Sequence, residues 1–157
     1  MRLGAPLVWR GLDVSQVVGR IIREYEATPN EDKPKGINVD TIGVGGGVAD
    51  LLRRNKVLEA DEVDIRDVNV ADAPAVDELN SRLRDELWWQ GREYFQARDC
   101  TFPIANLTKE QLEVIEELIS ELAAPTYDFT VAGKRVVMSK KDMKKELGKS
   151  PTLPTPF

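Results

Sequence analysis

Histidine is absent from this 157-residue sequence, and cysteine occurs once, as Cys100. Without histidine there is no Ser-His-Asp triad, no Cys-His dyad, no imidazole acid–base chemistry and no histidine-ligated metal. A single cysteine excludes an internal disulfide and any multi-cysteine zinc site. A bound metal must therefore take oxygen ligands, which points to magnesium, manganese or calcium. No apolar run approaches the ~20 residues of a membrane span. The N-terminus, Met1-Arg2-Leu3-Gly4-Ala5-Pro6, carries no signal-peptide apolar region, so the expected location is cytoplasmic.

What is present suits a soluble globular protein, with 41% hydrophobic and 31% charged residues. The length predicts one domain over residues 1–149, followed by a proline-rich tail over 150–157. The stretch around which the chain is organised is Gly36-Ile37-Asn38-Val39-Asp40, continuing through Thr41-Ile42-Gly43-Val44-Gly45-Gly46-Gly47. It reads as a short strand ending in a carboxylate, then a glycine turn, then a helix to about Asn55. In open α/β sheets, ligands sit beyond the carboxyl ends of strands, where Asp40 stands.

Before it, Leu7-Val8-Trp9 reads as a strand. Asp13-Val14-Ser15-Gln16 reads as a capping box opening a helix, with Leu12 and Val17 at staple spacing. Val14, Val17, Val18, Ile21, Ile22 and Tyr25 form one apolar face of that helix. Strand, helix and Asp40 strand together predict a βαβ unit with a parallel pair. Glu62–Val68 alternates and reads as the next strand. A long helix is expected from about Val76 to Gln96, with Leu79, Leu83, Leu87, Trp88 and Phe95 on one side, and then a loop from Asp99 to Ala105. Thr108-Lys109-Glu110-Gln111 is a second capping box, opening a helix that buries Leu112, Ile115, Leu118, Ile119 and Leu122 and ends at Pro125. Tyr127–Val131 and Arg135–Met138, joined by Ala132-Gly133-Lys134, signal a hairpin. A short basic helix follows and stops at Gly148. The three prolines of the tail exclude regular helix there.

Asp40 becomes a metal site only if other carboxylates converge on it, because an ion held by one acid exchanges freely with water. Asp50, Asp61, Asp64 and Asp67 are the candidate partners, none at a diagnostic spacing. Gly43-Val44-Gly45-Gly46-Gly47-Val48 gives two glycines of the Gly-x-Gly-x-x-Gly dinucleotide fingerprint but has Val48 at the third. A carboxylate at Asp40 would also repel a cofactor's phosphates. From Lys134 to Lys149, Arg135 and six lysines face two acids, Asp142 and Glu146, a local net charge of +5 in a chain whose overall charge is -5. Such a segment is either a solvated helix face or a contact for a phosphate backbone. Adjacent Trp88 and Trp89 diverge by about 100° on a helix, so one is expected in the core and the other partly exposed.

Several stretches, in order, resemble the nuclease domain of phage terminase large subunits, the DNA-packaging motors of tailed phages. They are Trp9-Arg10-Gly11-Leu12-Asp13 with Gly19-Arg20-Ile21, Asn38–Asp50, Leu79-Asn80-Ser81-Arg82 with Glu86-Leu87-Trp88-Trp89, and Ser139–Pro151. The resemblance implies an α/β, ribonuclease-H-like mixed sheet flanked by helices, here ending in the C-terminal hairpin. It implies cleavage of concatemeric double-stranded DNA with two Mg2+ or Mn2+ ions held by acids. Asp40 matches one of those acids, with Asp50 or Asp64 as substitutes for others. Arg135, Lys140, Lys141, Lys144 and Lys145 would meet DNA. The rest of a terminase (its ATPase domain), portal and small terminase subunit are the implied partners, in the cytoplasm of a bacterial host.

The sequence departs from the family in two places. The family's first catalytic Asp lies on a central strand upstream of the first residue here, and its last acid is replaced by Thr152 and Thr155 in the tail. No Gly-x-x-x-x-Gly-Lys-Ser/Thr loop of an ATPase occurs. The expectation is therefore a nuclease-like domain with weak or no cleavage alone. The rivals are a complete metal nuclease using a substitute carboxylate, and a non-catalytic DNA-binding or regulatory module. With the central strand missing, the Asp40 strand is expected to pair with Leu7–Trp9 or to be covered by self-association with another chain, because a bare edge invites aggregation.

Overall fold

The computed structural model describes residues 4, 6–98 and 107–148. The chain divides into two compact units, one of Trp9–Val70 and one of Met1–Val8 with Ala71–Phe157. The first unit opens with α1 (Val14–Ala27). Its capping box forms as expected: Gln16 N–H donates to the Asp13 carboxylate at 2.8 Å, and Asp13 N–H donates to the Gln16 side chain at 2.9 Å. Val14, Val17, Val18, Ile21 and Ile22 pack on a core of Tyr25, Val48, Leu52 and Leu58. A side chain of this kind contributes roughly 1.5–3 kcal/mol when fully buried, and these partly buried ones contribute a share of that.

After α1 come β1 (Gly36–Asp40), α2 (Gly45–Arg53), α3 (Lys56–Ala60) and β2 (Asp64–Val68). β1 and β2 pair in parallel, with Gly36 opposite Asp64 and Asp40 opposite Val68. Ile37, Val39 and Ile65 turn one face of this pair into the core, beneath α1 and α2. The two-helix crossover is needed because parallel neighbours cannot be joined by a tight turn. α3 is a separate helix because Asn55 breaks the path. Its side chain accepts from the N–H groups of Val57 and Leu58 and caps a new start.

The expected strand at Leu7–Trp9 does not form. Pro6 offers no N–H, Gly11 turns the chain with φ 68°, and Leu7 is 51% exposed, so three apolar residues lack length and, among the described residues, a strand partner. The parallel crossover therefore runs from β1 to β2 rather than from residues 7–9 to β1. Among the described residues β2 is the only strand paired to β1, and the anticipated pairing of β1 with Leu7–Trp9 is absent.

The turn between β1 and α2 is tight. Gly43 has φ 75°, and a Cβ on Gly45 would overlap the backbone carbonyl of Asp40. A side chain at Gly45 would push α2 off the end of β1.

The second unit contains α4 (Leu83–Gln96), α5 (Lys109–Ala123), the antiparallel pair β3 (Tyr127–Phe129) and β4 (Arg135–Val137), and α6 (Lys140–Leu147). The hairpin, the Thr108 capping box and the stop of α6 at left-handed Gly148 match the expectation. The long helix does not begin at Val76. Arg135 N–H donates to the Leu79 carbonyl at 2.8 Å and Ser81 N–H to the Arg135 carbonyl at 3.1 Å, so residues 79–81 run alongside β4. The backbone groups that a helix would have used are spent on the hairpin, and Val76 and Leu79 remain exposed. The apolar stripe of α5 is likewise only partly used: Ile115 is buried and Ile119 is 51% exposed. The Asp99–Ala105 loop and the 150–157 tail lie outside the described residues.

Buried polar groups hold this unit together. Arg84 donates to the carbonyls of Val137 and Met138 at 3.0 and 2.6 Å and approaches the Met143 sulfur at 3.7 Å. Asp85 accepts from Val137 N–H at 2.9 Å, and Glu86 accepts from Ala75 N–H at 2.6 Å. The start of α4 thereby satisfies backbone groups at the end of β4 that no further strand among the described residues takes up. Burial draws the Arg84 guanidinium below its ordinary value, helped by the like charge of Arg82 and opposed by Asp85.

The crowding at Gly45 makes a contrast between neighbours. Gly45→Ala is expected to lower stability by roughly 1–3 kcal/mol, the usual cost of overpacking. Gly46→Ala, with nothing within 4 Å of its new Cβ, should be neutral or stabilising. Thermal melts followed by circular dichroism decide; equal midpoints for the two variants would show that the close approach is unimportant.

Candidate functional site

Asp40 stands at the carboxyl end of β1, exposed to solvent. Side chains alternate along a strand, so it lies on the face opposite core-packed Ile37 and Val39. One carboxylate oxygen accepts from Ile42 N–H at 3.1 Å, and Thr41 N–H donates to the Val68 carbonyl at 3.1 Å. These two bonds fix the first step out of the strand.

The acids considered as its companions are placed elsewhere in this unit. Asp64 is opposite Gly36, four residues back along the pair, which is about 13 Å at a strand's rise. It pairs with Arg66 at 2.6 Å. Asp50, on α2, pairs with Arg53 at 3.3 Å. Asp67 is opposite Val39 and so on the other face; it meets Arg53 at 2.6 Å. The Asp67 hydrogen bond holds Arg53 above its ordinary value. Asp61 accepts from the Tyr25 hydroxyl at 2.8 Å and from Lys33 at 3.2 Å. Asp40, Asp50 and Asp64 are therefore not brought together. Among the described residues no three metal-ligating side chains converge. As a donor set, the described carboxylates do not fit a two-metal centre.

The basic residues lie in the second unit. Ser139 caps α6, its hydroxyl accepting from Asp142 N–H at 3.2 Å. Buried Met143 fastens the helix. At 100° per residue, Lys140, Lys141, Lys144 and Lys145 spread over an arc of about 140° that leaves Met143 out. All four lysines are exposed. Lys145 pairs with Asp142 at 3.2 Å. The Ser139 hydroxyl, and after it Lys145, hold the Asp142 carboxyl below its ordinary range. Arg135 is not with this group: it is half-buried, its guanidinium 3.9 Å from the centre of the Trp89 ring.

Trp88 and Trp89 are both half-buried, so the one expected in the core is only partly there. The Trp88 indole N–H is enclosed without an acceptor among the described residues. Trp89 sits edge-to-face against Tyr127, with ring centroids 5.0 Å apart, and Tyr127 meets Phe129 in the same manner at 5.8 Å. Sequence reasoning passed over this row. Its signal was the i, i+2 aromatic pair Tyr127 and Phe129 on one strand face.

No family model and no curated protein matches the sequence. Solved structures do. A mutant nuclease domain of the large terminase subunit gp2 of bacterial virus Sf6, with manganese, aligns at TM-score 0.65 and 18% identity, over 90% of this chain and 68% of that one. The fold is that of a phage terminase nuclease domain. The same Sf6 domain without the mutation aligns at TM-score 0.59 and 21% identity, over 88% of this chain and 66% of that one. A mutant form with calcium gives TM-score 0.61 and 21% identity, over 90% and 67%. This chain thus spans about two thirds of the terminase nuclease domains it resembles. The ribonuclease-H-like α/β expectation is met at the level of fold.

The Tyr25–Asp61–Lys33 contact makes one unit sensitive to acid. Hydrogen bonds from Tyr25 and then Lys33 lower the Asp61 pKa, with Lys35 adding to the effect. A carboxyl depressed on folding stabilises above its unfolded pKa, and that contribution is lost as pH falls through the folded value. Asp61→Asn should therefore melt below wild type at neutral pH, and the gap should close on acidification. A gap that is constant down to the acid end would rule out this linkage.

Proposed function

We propose that this chain is a DNA-handling domain of the terminase nuclease type, which binds double-stranded DNA through the lysines of α6 and cleaves it weakly or not at all by itself. The observation that carries this is the fold similarity over 90% of the chain at TM-score 0.65. The similar Sf6 domains are described with manganese or calcium, which supports divalent-metal dependence, Mg2+ or Mn2+, for the activity that the fold hosts. Asp40 is the residue assigned to the metal, at a strand tip where α/β sheets bind ligands. One carboxylate does not hold a divalent ion against water, and Asp50 and Asp64 are engaged by Arg53 and Arg66. Cleavage then requires acids beyond the described set.

The exposed lysine arc supports the DNA contact, since cations on one helix face neutralise successive phosphates and release counterions. Arg135, with its cation over Trp89, belongs to the same unit and adds to the positive field. The setting is the cytoplasm of a bacterial host, on concatemeric DNA, with the terminase ATPase domain, the portal and the small subunit as partners. A purely DNA-binding or regulatory module is the second reading, and the absence of converging carboxylates among the described residues favours it over a complete nuclease.

Supercoiled plasmid incubated with the chain and Mn2+ should stay wholly or very largely uncut. Complete conversion of the plasmid at substoichiometric protein, lost in Asp40→Asn, would overturn the weak-cleavage reading and make the domain a working enzyme. Duplex affinity should fall steeply with salt. Changing Lys140, Lys141, Lys144 and Lys145 to Gln should weaken it at least about tenfold and flatten the salt slope by about 0.9 for every phosphate no longer neutralised. Asp40→Asn should leave binding alone. Unchanged affinity in the lysine variant would remove α6 from the interface.

A further inference from the structure

We propose that the hairpin face carrying Tyr127 and Phe129, braced by Trp89 of α4 and the arginines held on its ring, is a stacking platform for the bases of unpaired nucleic acid. The proposal rests on the DNA-handling function above and adds a strand preference to it.

β3 is exposed at all three residues, and Tyr127 and Phe129 show 48% and 58% of their surface. Alternation puts these two rings on one face of the strand, with Asp128 on the other. Trp89, Tyr127 and Phe129 form a continuous row of edge-to-face contacts, at 5.0 and 5.8 Å. Edge-to-face packing joins the rings without stacking their faces on one another.

Charge identifies the occupant. The guanidinium groups of Arg135 and Arg92 lie 3.9 and 4.6 Å from the centre of the Trp89 ring. Among the described residues neither is in an ion pair, so both cations are held by an aromatic surface and remain available to an anion. Two acids are also near, each bonded to a neutral N–H rather than to either arginine. Glu93 accepts the Trp89 indole N–H at 3.0 Å, and Asp128 accepts the Phe129 backbone N–H at 2.7 Å. Exposed aromatic faces beside unpaired arginines are the combination that binds single strands, with bases on the rings and phosphates on the cations. A duplex offers the phosphates but keeps its base faces closed. A purely apolar protein partner would have no use for the two cations.

The test uses the full chain, a fluorescently labelled oligo(dT) and a labelled duplex of equal length. Each of Tyr127→Ala and Phe129→Ala should weaken oligo(dT) binding by about fivefold to about a hundredfold, the range for removing one base–aromatic stack, while duplex affinity changes less than about twofold. Phe129→Trp should retain oligo(dT) binding and Phe129→Leu should lose it. Binding that survives in Phe129→Leu means that the patch is an apolar docking surface, and the proposal fails. It also fails if oligo(dT) does not bind, or if single-strand and duplex affinities fall together. Should Phe129→Ala misfold, the Leu and Trp variants decide the matter. Oligo(dT) binding that persists while the α6 lysines prove irrelevant to duplex would sink the duplex reading and leave the platform standing.

Discussion

The contact between Gly45 and the carbonyl of Asp40 sets the geometry of the first unit. Because no Cβ intervenes, α2 starts directly over the end of β1. That places Val48 and Leu52 on the core with Tyr25 and Leu58, where Ile37 and Val39 of the strand meet them. The same turn leaves Asp40 outside, its carboxylate tied to the Ile42 N–H. A bulkier turn would separate helix from strand and lose both the packing and the presentation of the acid.

The second unit depends on a different device. Among the described residues β4 has an antiparallel strand partner on one side only, and other backbone groups of its end are taken up by Arg84, Asp85 and the segment at Asn80. Placing side chains of a helix start against a strand end covers an edge that would otherwise recruit another chain. Arg84 also bridges the hairpin and α6, donating to the Val137 and Met138 carbonyls and approaching the Met143 sulfur at 3.7 Å.

Local chemistry was legible wherever a few adjacent residues decide the outcome. Asp13–Gln16 and Thr108–Gln111 are capping boxes by composition, and both close. The apolar face of α1 repeats at helical spacing and packs as that spacing requires. β1, the hairpin and the Gly148 stop are equally local. Val76–Arg82 was misjudged because its apolar spacing is helical while its backbone hydrogen bonds are claimed by Arg135, more than fifty positions away. Leu7–Trp9 misled for the opposite reason: it has strand-like residues, but no strand among the described residues pairs with it.

For the candidate site, the sequence by itself determined the inventory: no histidine, one cysteine, acids and lysines in known order. It therefore restricted any metal to oxygen ligands and singled out Asp40 and the lysines of α6. Only the tertiary structure decided which of these residues meet. The register set Asp64 four residues back from Asp40, and Arg53 drew Asp50 and Asp67 to itself. Folding likewise laid Arg135 on Trp89 and lined up Trp89, Tyr127 and Phe129 from separate elements. The reason is physical: residue type and short-range spacing are written along the chain, whereas the convergence of side chains depends on strand register and helix packing, which arise only when distant segments compete for the same partners.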